Sequence, residues 1–275
     1  MGGALRRHWP EYLIEAWALG TFMVSAAVFT TLFEFPRSPL HSAIADANLR
    51  RALIGIAMGL TAIGLITSPW GRRSGAHMNP AVTLAFWRLG KVEGIDALLY
   101  VVAQCVGGTV GVLVAAALLH GAFTAVPVNW VLTVPGTHGA GVAATAELCM
   151  SALMMWTVLW LSSSQRYAAA TAYAAGTLVA IFIAVEAPLS GMSINPARSL
   201  ASALPSGIWT GFWIYLVAPV SGMQLAAVGF RLWRGRRNVT CAKLLHATDQ
   251  RCIHCGYQPP AQPSPDNLPS GELQS

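Results

Sequence analysis

Charged side chains in this chain are separated by long apolar stretches of similar length. Residues 16 to 33, 52 to 71 and 97 to 146 contain no Asp, Glu, Lys or Arg, and further uncharged runs follow Glu147, Arg166 and Arg198. A helix needs about 20 mostly apolar residues to cross a bilayer. The pattern therefore predicts six spans, at roughly 11 to 33, 49 to 68, 94 to 118, 140 to 161, 168 to 186 and 208 to 231. The longest run is interrupted at Pro127 and Pro135, with His120 and His138 nearby, so it holds the ends of two helices and a loop.

Two short segments fall outside these spans. Ser74-Gly75-Ala76-His77-Met78-Asn79-Pro80-Ala81 follows the second span, and Ser190-Gly191-Met192-Ser193-Ile194-Asn195-Pro196-Ala197-Arg198 follows the fifth. Each predicts the start of a short helix, with Asn as N-cap and Pro at the first helical position. Asn79 and Asn195 stand 116 positions apart, and each motif follows two spans and precedes a third. The chain thus reads as an internal repeat, about 11–118 and 140–231. Halves with an odd number of spans have opposite orientations, so the short helices should enter from opposite faces and meet N-terminus to N-terminus near the midplane.

Composition agrees with a membrane protein: the 275 residues are 55% hydrophobic and only 10% charged, against roughly 25% charged in ordinary soluble domains. The net charge of +6 is spread too thinly to suggest a nucleic-acid partner. It reads instead as topology. With both termini cytoplasmic, only Arg37, Arg50, Arg51 and Arg198 of the 17 cations lie on the far side. Arg6-Arg7 before the first span resembles a signal-peptide start, but Glu15 interrupts that span and no convincing cleavage site follows, so a retained helix is expected. Residues 1–10 then form a cytoplasmic N-terminus, 11–232 the membrane domain, and 233–275 a basic cytoplasmic tail. The cell's plasma or inner membrane is the expected location.

Glu15 and Glu147 lie early in the first span of each half. A carboxylate at that depth needs a partner, and the orphan N–H groups of the non-helical segments are the obvious ones.

On these residues the chain resembles the aquaporin, or major intrinsic protein, family over about residues 10 to 232: two Asn-Pro-Ala boxes in repeated halves, the leading Ser-Gly-Ala-His, the trailing Arg198, and Glu15 with Glu147. The resemblance implies an all-α fold of six spans plus two re-entrant half-helices, a homotetramer with one pore per chain, and passive passage of water and small neutral solutes without a cofactor. It implies that Asn79, Pro80, Ala81, Asn195, Pro196 and Ala197 line the pore centre. Facing half-helix N-termini would repel cations and protons there. Backbone carbonyls of Gly75, Ala76, His77, Gly191, Met192 and Ser193 would replace lost hydration, and Arg198 would add a second cation barrier.

By the same resemblance the outer constriction is Met58, Ile183, Met192 and Arg198, with Gly59 an alternative for Met58. Water-specific members carry His where Ile183 stands, so this filter would be apolar on three sides. Ser199 and Ala203 fit the water type, while Leu216 is nearer the glycerol type. Water, glycerol, hydrogen peroxide, ammonia and neutral metalloid hydroxides all stay open, with a glycerol facilitator the main alternative. An inverted-repeat coupled transporter would need an ion site that Glu15 and Glu147 do not leave free. An intramembrane enzyme would need a catalytic motif, and none is found.

Other residues have local readings. His77 is expected as a packed loop residue rather than a pH gate, and Glu186 as a rim residue in headgroup water. Trp9, Trp70, Trp130, Trp209 and Trp213 suit the membrane interface, while Gly107, Gly108 and Gly111 suit close helix crossing. Cys105 and Cys149 read as small core residues. In the tail, Cys252 and Cys255 have chelating spacing, and Cys241 with His246 or His254 would complete a tetrahedral zinc site. Free thiols and palmitoylation are the competing readings. Residues 259 to 275 are expected to be disordered.

Overall fold

The computed structural model describes residues 2–235, 239–246 and 249–259. Its helices are α1 (Gly2–Glu34), α2 (Pro39–Ala43), α3 (Ala47–Thr67), α4 (Pro69–Ser74), α5 (Pro80–Arg88), α6 (Gly94–Leu119), α7 (Gly121–Thr124), α8 (Ala140–Ser162), α9 (Thr171–Ser190), α10 (Pro196–Ser206) and α11 (Phe212–Arg234). Among the described residues six helices are long and apolar enough to cross a membrane: α1, α3, α6, α8, α11, and α9 with the turn before it. The fold is all-α, and the chain is a multi-pass membrane protein.

Element ends follow local chemistry. Asp46 caps α3 by accepting from Asn48 N and Leu49 N at 2.8 and 3.4 Å. Ser68 caps α4 through Gly71 N, with Pro69 at its first position. Several span boundaries differ from the sequence expectation, the fifth span running on to Ser190 rather than ending at 186. The supposed separate N-terminus, residues 1–10, is helical from Gly2 onward and continuous with the first span through Pro10. Arg6 and Arg7 are exposed there, so the charged turns extend past the apolar part of the same helix. The last span begins at Phe212, later than 208, because Gly211 takes a left-handed φ of 64° that breaks the preceding turn.

Helices pack mainly in three pairs, α1 with α6, α8 with α11, and α3 with α9 between them. Small residues permit the crossings. A Cβ on Gly107 would lie 2.1 Å from Ala16 O, and one on Gly222 would lie 2.2 Å from Leu148 O. Gly59 faces the Gly176 backbone in the same way, at 2.5 Å. Close backbone approach of this kind supplies dispersion contact where lipid gives no hydrophobic drive between helices. Cys149 corrects an expectation: it is exposed on the outer side of α8 rather than in the core, and Cys105 is only half-buried.

Candidate pore and its two mouths

The two half-helices α5 and α10 begin at Asn79 and Asn195 and meet through those residues. Asn79 Oδ1 accepts from Ala81 N at 2.8 Å, and Asn195 Oδ1 accepts from Ala197 N and Arg198 N at 3.0 and 3.2 Å. The amide groups then cross: Asn79 Nδ2 donates to Ile194 O and Asn195 Nδ2 donates to Met78 O, both at 2.7 Å. An NH2 group has two hydrogens, so each amide keeps one N–H after this reciprocal bond. Pro80, Ala81, Pro196 and Ala197 are buried behind them.

The segments leading into these caps carry the same unusual backbone twice. Gly75 and Gly191 have φ of 109° and 80°, Ala76 and Met192 of 53° and 49°, and Met78 and Ile194 of 49° and 48°. Left-handed conformations at non-glycine residues cost on the order of 1 kcal/mol each and persist only where the surroundings impose them. Two buried carboxylates do this. Glu15 accepts from Ser74 Oγ (2.7 Å), His77 N (3.0 Å), Met78 N (2.6 Å) and Gln104 Nε2 (2.9 Å). Glu147 accepts from Ser190 Oγ (2.7 Å), Ser193 N (2.7 Å) and Ile194 N (2.6 Å). Two tyrosines close the pattern, Tyr100 donating to Ser74 O at 2.8 Å and Tyr215 to Ser190 O at 2.6 Å.

A cavity of about 510 Å³ runs past both caps. Met58, Ile183, Met192 and Arg198 all border it, as do Asn79, Asn195, Ala76, His77, Gly191 and Ser193. Met58 rather than Gly59 faces it, since Gly59 is committed to the α9 crossing. Arg198 is held by donation from its guanidinium to Val131 O at 2.8 Å. Ser199 is not on the wall; it joins Ser193 and Thr133 in a buried hydroxyl chain with 2.6 and 2.7 Å spacings.

Three sequence expectations change here. Gly75 does not border the cavity, and its carbonyl accepts from Leu244 N of the tail at 3.2 Å. Met78 and Ile194, which the motif reading passed over, do border it. Glu186 is only 7% exposed, not at a wet rim. His77 is packed: Nδ1 lies 3.0 Å from Thr83 Oγ1, Nε2 lies 2.7 Å from Ala242 O, and the ring stacks on Phe86 and His254.

The described tail folds back onto the first turns of α1 and the end of α4. Arg251 donates to Arg7 O at 2.8 Å, and lies 3.7 Å from the buried carboxylate of Glu11. His254 Nε2 reaches Ser74 O at 3.1 Å. Burial pushes His254 down to about 4, so its imidazole is neutral and Nε2–H donates. His254 is therefore turned away from the tail thiols, and His246 joins them instead. The ligand atoms of Cys241, His246, Cys252 and Cys255 all lie within 4.8 Å of one another. A hydrogen bond from Cys241 first, with the charge of Lys243 behind it, holds the Cys252 thiol below its usual range, while Cys241 is pushed up.

Paired half-helices in an inverted repeat of six spans, with a cavity passing their joined N-termini, define a channel-type membrane protein. The chain belongs to the Major intrinsic protein family, whose model matches residues 8–230. It is 34% identical to a "Probable aquaporin NIP-type" from Nicotiana alata over 60% of this chain and 59% of that one, so it spans about three-fifths of that relative's length. It is 31% identical to Aquaporin TIP4-4 from Zea mays over 75% of this chain and 83% of the relative. A solved aquaglyceroporin from Plasmodium falciparum shares the fold, with a TM-score of 0.66 and 19% identity, over 81% of this chain and 95% of that one.

Proposed function

We propose that the cavity is a passive pore for water and small neutral solutes that excludes protons and ions. The observation that carries this is the reciprocal Asn79–Ile194 and Asn195–Met78 bonding on the wall of one cavity. It sets two half-helix N-termini against each other, and their partial positive charges add there. Arg198 adds a full positive charge on the same wall. A neutral molecule meets donors and carbonyl acceptors, whereas a cation meets repulsion.

Met58, Ile183 and Met192 make the region around Arg198 apolar and deformable, which favours a neutral solute larger than water as a second cargo. On this reading both chain ends are cytoplasmic, the membrane is the plasma or inner membrane, and four copies assemble with a pore in each. Purified protein, stripped with a strong chelator before reconstitution in liposomes and followed by stopped-flow light scattering, should shrink the vesicles quickly in sucrose and re-swell them in glycerol. Ile183→His should narrow the wall, keep the water phase and suppress re-swelling. Unchanged glycerol flux in that variant would sink the filter assignment, and water flux no faster than in protein-free vesicles would sink the pore.

A further inference from the structure

The described tail makes more contact with the pore than a connector needs. Val239, Ala242 and Leu244 are buried in the same apolar cluster as Ile66, Val158 and Phe230. Leu244 borders the cavity itself. Its N–H takes the carbonyl of Gly75, and Ala242 O takes His77 Nε2. Residues 242 to 244 therefore occupy polar groups of the first re-entrant segment that a permeating molecule would otherwise use at this mouth.

The described tail residues form no helix or strand, and ordering such a segment costs about 1–2 kcal/mol of backbone entropy per residue. Its buried apolar residues and its bonds to the helices offset part of that cost, and a cross-link within the tail would offset more. Cys241 Sγ lies 3.5 Å from Cys252 Sγ, and His246 Nε2 lies 3.2 Å from Cys255 Sγ. A tetrahedral zinc with bonds of about 2.3 Å to sulfur has sulfur–sulfur edges of about 3.8 Å, close to these spacings. The second sign is Lys243, which is 1% exposed and, among the described residues, has no hydrogen-bond partner for Nζ. A buried ammonium without a counter-charge is costly. Zinc bound by three thiolates and a neutral imidazole carries one net negative charge, which would balance it.

We propose that Cys241, His246, Cys252 and Cys255 bind one zinc ion, and that this zinc-held tail is a plug that closes the pore mouth through Ala242, Lys243 and Leu244. The plug rests on the pore reading above; the metal site does not. Metal loss frees the segment, and the Gly75 carbonyl and His77 return to the permeation path.

The full-length protein, purified without chelator, should contain about one zinc per chain by elemental analysis, as a four-ligand site requires. Stripping the metal in detergent with a strong chelator before reconstitution should raise osmotic water permeability several-fold, and zinc added back should reverse the rise. Cys252→Ser with Cys255→Ser should lose the zinc and conduct freely. Leu244→Gly, which leaves the ligands in place, should keep its zinc and still conduct faster than the parent. Absence of near-stoichiometric zinc, including the case of a Cys241–Cys252 disulfide released only by reductant, would overturn the site. Bound zinc whose removal leaves permeability unchanged or lower would overturn the plug. If no form outpaces protein-free vesicles, the pore and the plug fall together, while the zinc count still reports on the site.

Discussion

The two re-entrant segments are built on one plan and finished differently. Glu15 and Glu147, Ser74 and Ser190, Tyr100 and Tyr215 hold equivalent backbone atoms with matching bonds. Around that frame the side chains part company. Gln104 gives Glu15 a fourth donor, whereas the equivalent place on α11, 115 residues on, is Pro219. His77, bonded to Thr83 through Nδ1, meets the tail at Ala242 O on one side, while Ser193, Ser199 and Thr133 form a hydroxyl chain on the other. One mouth is covered by residues 242 to 244 and the other is lined by Arg198. The backbone machinery is what the repeat preserves, and each mouth takes its character from a few substituted side chains.

Removing the carboxylates tests that frame with the largest expected effect. Glu15→Ala strands four donors and Glu147→Ala strands three, at roughly 1–3 kcal/mol for each buried unpaired donor. Both variants should lose most of their folded yield, or show a large drop in thermal midpoint in detergent, with Glu15→Ala the worse. Equal losses would mean that Gln104 contributes nothing to the first segment. Gln104→Leu checks this directly, with an expected cost of about 1.5–3 kcal/mol for a hydrogen bond to a charged group.

Helix crossings should be hit more evenly. Gly107→Ala and Gly222→Ala each drive a methyl against a facing carbonyl, at 2.1 and 2.2 Å. A gain in helix propensity of up to about 1 kcal/mol is set against an overpacking cost of about 1–3 kcal/mol. Net destabilisation of similar size is expected in both halves, measured as thermal midpoint. Gly64→Ala, where nothing lies within 4 Å, should gain slightly. A large difference between the first two variants would show that the halves do not share their packing.

How far the sequence could be read follows from which physical signals are linear along the chain. Charge-free runs locate spans because the bilayer excludes charge, and Asn before Pro locates the half-helices because capping is local. Membrane-facing and inward-facing positions are apolar alike, so nothing in the run around Cys149 told which way it faces, nor did the pattern reveal that Glu186 is buried. The partners of Ser74 O and Ser190 O, Tyr100 and Tyr215, lie a full helix away in sequence and read only as aromatic residues in apolar spans. The tail's spacing suggested a metal site, yet its docking on Gly75 and His77 joins residues more than 160 positions apart, which no local pattern carries.

The finest comparison is between those two tyrosines. Each donates one bond to a serine carbonyl at the end of the helix preceding a re-entrant segment. Among the described residues Tyr215 is the one donor to Ser190 O, whereas Ser74 O also receives His254 Nε2 at 3.1 Å. Tyr215→Phe should therefore cost about 1 kcal/mol, and Tyr100→Phe only a fraction of it, because the tail keeps that carbonyl paired. In the His254→Ala background the two phenylalanine variants should become equal, with Tyr100→Phe rising to the Tyr215→Phe value. Thermal midpoints of the parent, the three single variants and the two double variants in one detergent decide it. If Tyr100→Phe costs the same with and without His254, the tail imidazole does not support the first segment, and the tail's share in the asymmetry between the two mouths is then confined to its contacts with Gly75 and His77.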